Sequence, residues 1–446
     1  MGDQHNFTSG NIGKQLVIFS GPIMLTNLLQ VSYQFIDSMW VGNLLGGNAL
    51  GAVAVASTVL FTLLSFIIGL NNATLTVLSQ QKGKADQQGL KRYLNAFVVV
   101  LLFLAAGLGL LGFLLAERVL LILGTPDAMM PGAKAYLQIN SIGILFLMGY
   151  NFIGTVMRAL GDSKTPLRFV VAAVLLNAVL DPLFIYVFNL GIDGAAYATV
   201  VAQGASFLYG MYIVLKKNLA PFSIPSIPSK QEVGVILHLG IPSGLQMAVI
   251  SAGVAAIMSV VTAFGEDVVA GFSAAQRLDS VLMLPPMALA TAVNSMAGQN
   301  IGVENWDRVH KVARYGLIYT ITIMLVVALL LVLFGEYGIK LFVQEEAPVA
   351  FGGEYLRIVA FFYPFLGINF ILNGIVRASG AMYQVLVLNI ISFWVLRYPL
   401  TALFSRLLGD SGIAVGMGVS FVISSVVATL YYKYGKWNTK QLFEKE

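Results

Sequence analysis

Twelve apolar stretches, each long enough to cross a bilayer, recur from one end of the chain to the other. They limit the fold more than any other feature of the sequence. A spanning helix needs about 20 mostly apolar residues. On that rule spans fall near 15–40, 49–79, 94–116, 135–157, 169–190 and 194–215. A second set falls near 238–263, 268–300, 315–335, 355–376, 383–405 and 411–432. In hydrocarbon every backbone polar group must be satisfied internally. The expected fold class is therefore an all-α integral membrane protein with twelve transmembrane helices. Composition agrees: 58% of the 446 residues are hydrophobic and 11% charged, against roughly 25% charged in soluble domains.

Loop charge predicts the orientation. The tails and loops on the side of the two termini contain 19 Lys and Arg, those on the opposite side 5 when Arg357 at the edge of span 10 is included, and Arg277 and Arg397 fall inside spans. The positive-inside rule then places both termini in the cytoplasm of a multi-pass protein of the plasma membrane, which in a two-membrane cell is the inner one. The first apolar run is too long for a cleavable signal. With no cysteine, thiol chemistry and disulfides are excluded. Basic residues spread over short loops give no nucleic-acid patch.

The chain reads as two halves. Pro221, Pro225 and Pro228 lie close together between spans 6 and 7 and favour an extended connector. The expected domains are an N-terminal lobe at 1–215, a cytoplasmic Pro-rich linker at 216–237, a C-terminal lobe at 238–432 and a cytoplasmic tail at 433–446. Tyr136-Leu137 matches Tyr355-Leu356, Pro22 matches Pro242, and Met157-Arg-Ala-Leu-Gly161 matches Val376-Arg-Ala-Ser-Gly380. Gln80 with Gly83 likewise matches Gln299 with Gly302, and every offset is 219 or 220. A constant offset marks a tandem repeat. Six spans per repeat give both halves one orientation, related by a pseudo-two-fold axis along the membrane normal.

Charge inside these spans is the signal for function. A carboxylate at mid-membrane costs roughly 2.5–3.5 kcal/mol on insertion scales. Span 1 nevertheless carries Asp37, with Tyr33 four residues before it, and span 5 carries Asp181, with Asn177 four before it. Each pair shares a helix face. Thr199 and Ala195 in span 6 have the same spacing, and the depths of all six suit one cluster in the outer half of the first lobe. Pro182 would free a backbone carbonyl beside Asp181. Hard oxygen ligands of this kind suit a proton or Na⁺, with Asp37, Asn177, Asp181 and Thr199 as the possible Na⁺ set. Arg277, Asp279 and Arg397 read as structural, and Asp193 as a solvated loop residue. The pattern Gly107-Leu-Gly-Leu-Leu-Gly112 lies inside a span with no preceding strand, so it reads as helix packing rather than dinucleotide binding. Gly412 and Gly416 also read as close helix contact.

Tyr33-x-x-x-Asp37, Leu176-Asn-Ala-Val-Leu-Asp-Pro-Leu-Phe184, the Gly-Ala-Ala-Tyr-Ala-Thr199 run and Arg-Ala-Leu-Gly-Asp162 resemble the multidrug and toxic compound extrusion (MATE) transporters over essentially the whole chain. The resemblance implies two six-helix lobes around a V-shaped central cavity and export by alternating access. It also implies that the family's N-lobe cation site maps onto Tyr33, Asp37, Asn177, Asp181, Ala195 and Thr199. The NorM-like branch adds acids in spans 7 and 10, whereas here those spans offer Gln246, Asn369 and Asn373. That departure points to the prokaryotic DinF-like branch.

The expected function is a secondary active multidrug efflux antiporter, exporting lipophilic or cationic compounds in exchange for H⁺ or Na⁺. The alternative is a flippase for lipid-linked saccharides or related lipids, which would need clustered cations for pyrophosphate. An intramembrane enzyme would need Asp-rich or His-rich clusters that the chain lacks, so no enzymatic activity and no cofactor are expected. Gln34, Met39, Asn151, Gln246, Met287 and Asn369 are the candidate substrate-cavity residues, and Pro22 is the candidate hinge of span 1. The expected partners are drug-like small molecules and membrane lipids, without nucleic acid, for a chain acting as a monomer.

Overall fold

The computed structural model describes residues 6–439 and 442–443; the remaining residues of the expected tail, and His5, lie outside the described residues. Among the described residues the secondary structure is helical, without a strand. The first half comprises α1 (Ile12–Leu45), α2 (Gly47–Gly83), α3 (Gln87–Ile122), α4 (Met130–Ile142), α5 (Ile144–Ala159), α6 (Lys164–Pro182) and α7 (Gly191–Lys216). The second comprises α8 (Lys230–Val261), α9 (Glu266–Leu282), α10 (Leu284–Gly302), α11 (Trp306–Ile339), α12 (Glu346–Ala360), α13 (Tyr363–Ala378), α14 (Met382–Ile390), α15 (Tyr398–Leu408) and α16 (Ser411–Tyr434). Ten stretches are long and apolar enough to cross a membrane, or up to 12 if each bent helix pair is one span.

Five of the expected spans are not simple rods, and the one at 383–405 widens into a π-helical stretch, Ile391–Arg397, just ahead of Pro399. The α4 and α5 pair bends by 50° at Gly143, and the α12 and α13 pair bends by 58° at Phe361-Phe362. The span 268–300 is divided at Met283 into α9 and α10, ahead of Pro285 and Pro286. Proline supplies no N–H, so the carbonyls one turn earlier lose their ordinary partners. At Pro182 the helix widens into a π-helical turn, Leu183–Val187, the local adjustment that a membrane proline calls for. Asp193, expected in a loop, lies in the first turn of α7, where the positive end of the helix dipole favours it.

The chain forms two compact units. One contains Leu25–Gly244; the other contains Phe7–Met24 together with Leu245–Glu446. Each boundary therefore falls inside a helix, two residues after Pro22 in α1 and two after Pro242 in α8. In the second unit Ile12, Leu16, Phe19 and Ile23 of α1 join a buried core with Ala292, Val293, Met296 and Ile371. The segment ahead of α1 is held there by Phe7: its N–H donates to Gln299 Oε1 at 3.1 Å, and its carbonyl accepts from Arg308 Nε at 2.8 Å. In the first unit the start of α8 packs backbone to backbone on α2. A Cβ placed on Gly69 would lie 2.5 Å from the Gly244 nitrogen, so only glycine fits, and Asn72 Nδ2 donates to Ser243 Oγ at 2.9 Å.

The connector is helix-free from 217 to 229, and α8 begins at Lys230, inside the expected 216–237 linker. A capping box sets that start. Glu232 N–H donates to Ser229 Oγ at 3.2 Å, and Ser229 N–H donates to Glu232 Oε2 at 2.9 Å, satisfying two donors reciprocally. The Asn95 amide clamps Ser226 in both directions, at 2.8 and 2.9 Å. The glycine patterns are packing features. A Cβ on Gly109 or Gly112 would strike Ser141 of α4, while Gly107 faces open space. Gly412 and Gly416 let α16 approach the backbone of α15 at Phe404, Leu400 and Thr401.

Candidate functional site

Three helices of the first unit bring polar groups together in an apolar interior. Asp37 and Tyr33 come from the second half of α1, Asn177 and Asp181 from the last turns of α6, and Thr199 from the third turn of α7. Asn177 and Asp181 are fully buried, and Asp37 and Thr199 are 7% and 5% exposed. Helical spacing places the Asn177 amide against Asp181, donating Nδ2 to Oδ1 at 3.0 Å. Ala195 is buried in the surrounding core with Val41, Tyr136 and Ile185.

A residue that sequence reasoning did not place in the site completes it. Tyr136 of α4 is buried and donates its hydroxyl to Asp37 Oδ2 at 3.4 Å. Its one visible signal was the repeat match to Tyr355; a single tyrosine in an apolar run shows no period. The Tyr33 hydroxyl lies near Thr199, Asp37 and Asp181 yet makes no hydrogen bond of standard geometry.

The electrostatics follow from what these oxygens lack. Asp37 Oδ1, Asp181 Oδ2, Asn177 Oδ1, Thr199 Oγ1 and the Tyr33 hydroxyl are all buried without a hydrogen-bond partner. Two carboxylates that feel each other's charge share this pocket with no Lys or Arg within 4 Å among the described residues. Uncompensated buried charge costs several kcal/mol, so the arrangement favours a proton or a small cation that takes oxygen ligands. Among the described residues no group of three His, Cys, Asp or Glu side chains gathers as a metal site.

The other expected residues are dispersed. In the first unit Gln34 and Met39 are exposed and Asn151 is half-buried, its amide donating to the Leu147 carbonyl at 2.8 Å. In the second unit Gln246 is buried with Oε1 unpartnered, Met287 is exposed, and Asn369 donates to Ser424 Oγ at 3.0 Å. Arg277 and Asp279 do not pair: Arg277 lies over the Phe342 ring, and Asp279 accepts from the Tyr363 hydroxyl. Arg397 is buried between Phe393 and Phe421, its guanidinium 3.9 and 4.6 Å from the ring centres. Arg277 and Arg397 thus face aromatic rings on different elements.

Comparison with known proteins agrees with this architecture. The MatE family model matches residues 22–183 and again 242–403, an offset of 220 that reproduces the internal repeat. The chain is 62% identical to the probable multidrug resistance protein YpnP of Bacillus subtilis (strain 168), over 99% of both chains. It is 24% identical to the FAD transporter of Shewanella oneidensis, over 97% of this chain and 96% of that one. A solved structure described as the outward-facing conformation of a multidrug resistance MATE family transporter of the MOP superfamily superimposes with a TM-score of 0.91. The identity is 23%, with 97% of each chain covered.

Proposed function

Because the chain belongs to the MatE family, whose members are membrane transporters, we propose that it is a cation-coupled antiporter exporting lipophilic, often cationic compounds. The observation that carries the proposal is the set of buried, partnerless oxygens around Asp37 and Asp181. A permanent structural pair would have its acceptors satisfied, whereas a site that loads and unloads an ion must leave them free.

In this reading an H⁺ or Na⁺ entering from outside settles between Asp37 and Asp181. Asn177 holds Asp181 by its amide donor and leaves its own carbonyl oxygen for the ion. Tyr136 fixes the Asp37 rotamer; Tyr33 and Thr199 add hydroxyl oxygens. Neutralising the carboxylates removes the repulsion between α1 and α6, and the proline in α1, Pro22, lets that helix bend and release substrate outward. Each inward charge supplies about 2.3 kcal/mol per 100 mV, enough to drive modest accumulation. Both termini lie in the cytoplasm, the chain works as a monomer without a cofactor, and two lobes, 1–215 and 238–432, carry the transport cycle. Gln34, Met39, Asn151, Gln246, Met287 and Asn369 contact substrate.

Efflux of ethidium from proteoliposomes, with proton and sodium gradients imposed separately, tests the proposal. Wild-type protein should respond to at least one gradient, and D37N and D181N to neither. Gradient-driven efflux that persists in both variants would reject the reading.

A further inference from the structure

Only three acids lie within the apolar spans read from the sequence: Asp37, Asp181 and, in span 8, Asp279. The first two belong to the site already described. Asp279 belongs to the other unit, where spans 7 and 10 carry no acid. It occupies the last turn of α9, its backbone carbonyl accepting from the cap residue Met283. Pro285 and Pro286 follow, so the N–H groups that would reach back to 281 and 282 are absent. The prolines thus leave two carbonyls, at 281 and 282, without their i+4 donors, two and three residues past Asp279. That combination favours a cation.

A second break faces the first. Tyr363 opens α13 directly after the 58° bend and donates its hydroxyl to Asp279 Oδ1. Tyr363 is buried, as is Tyr355 of α12, whose hydroxyl has only the weak acceptor Met417 Sδ, at 3.3 Å. Tyr355 feels both Asp279 and Arg397. Arg397, 6% exposed, has no carboxylate within 4 Å among the described residues; its neighbours are two phenyl rings and the hydroxyls of Ser420 and Ser392 at 3.4 and 3.5 Å. Arg277, on Asp279's own helix, is directed to Phe342. Asp279 itself remains partly accessible, unlike the two tyrosines.

We infer that Asp279 is an ion-carrying carboxylate of the second unit: it takes up and releases a proton, or a monovalent cation in its place, with the Tyr363 hydroxyl as its fixed donor. Arg397, buried and without a carboxylate within 4 Å among the described residues, supplies a standing positive charge that, like Asp279, neighbours Tyr355. A purely structural acceptor for Tyr363 would need no helix break. The inference does not depend on Asp37 being the coupling group.

The test is the proton uptake of purified protein in lipid nanodiscs as the medium passes from about pH 9 to about pH 5, with D37N as a parallel control. D279N should take up about one proton fewer than wild type, whatever D37N does. Uptake equal to wild type would overturn the inference. Should D279N fail to fold, carbodiimide labelling of the wild-type chain decides the question. A dicyclohexylcarbodiimide adduct on Asp279 that increases as the pH falls supports the inference, and labelling that is absent or independent of pH overturns it.

Discussion

Asp37 and Asp181 are alike in chemistry, yet their fixed donors differ. Asp181 takes an amide from one turn earlier on its own helix, whereas Asp37 takes a hydroxyl from another helix, Tyr136 of α4. Removing the Tyr136 hydroxyl leaves the carboxyl in place but frees its rotamer. Tyr136→Phe should therefore lower the efflux rate about three- to tenfold, the worth of one hydrogen bond of about 1 kcal/mol, without loss of folded protein on size-exclusion chromatography. A rate equal to wild type would mean that Tyr136 is only a packing residue. The difference between these partners also explains what could be read in advance. The pairs four residues apart were legible because helical geometry brings them together whatever the fold. Tyr136 was not, because its approach to Asp37 depends on how α4 packs on α1.

At the scale of elements, the chain is shaped by where helices break and where they touch. Hydropathy finds a span because it measures length and apolarity, and it does not register direction. The bends at Gly143 and Phe361-Phe362 were therefore invisible, while Pro182 could be anticipated because proline removes a specific hydrogen bond. The contact of α2 with α8 is backbone against backbone and leaves no room for a side chain at Gly69. Gly69→Leu should overpack it, costing about 1–3 kcal/mol and lowering the thermal unfolding temperature measured by intrinsic fluorescence. Ser229→Ala removes half of a capping box at an exposed helix start and should cost about 1 kcal/mol. If the cap variant proved the more damaging of the two, the packing account of α2 and α8 would be wrong.

For the molecule as a whole, the tandem repeat was legible from scattered matches at one offset, and the family model falls on the same two segments. The exchange of α1 and α8 segments between units was not, because no local pattern says which core a helix half will join. The orientation can be tested without background labelling, since the chain has no cysteine. In intact cells Ser226→Cys should resist a membrane-impermeant maleimide, and Asp127→Cys should react with it; the reverse pattern would invert the topology. The central claim is that a cation neutralising Asp37 and Asp181 drives export. Its most direct measurement is ethidium efflux from proteoliposomes carrying D37N, with proton and sodium gradients imposed one at a time. The account predicts that D37N keeps substrate binding but loses its response to both gradients; efflux still driven by either one at the wild-type rate would contradict it.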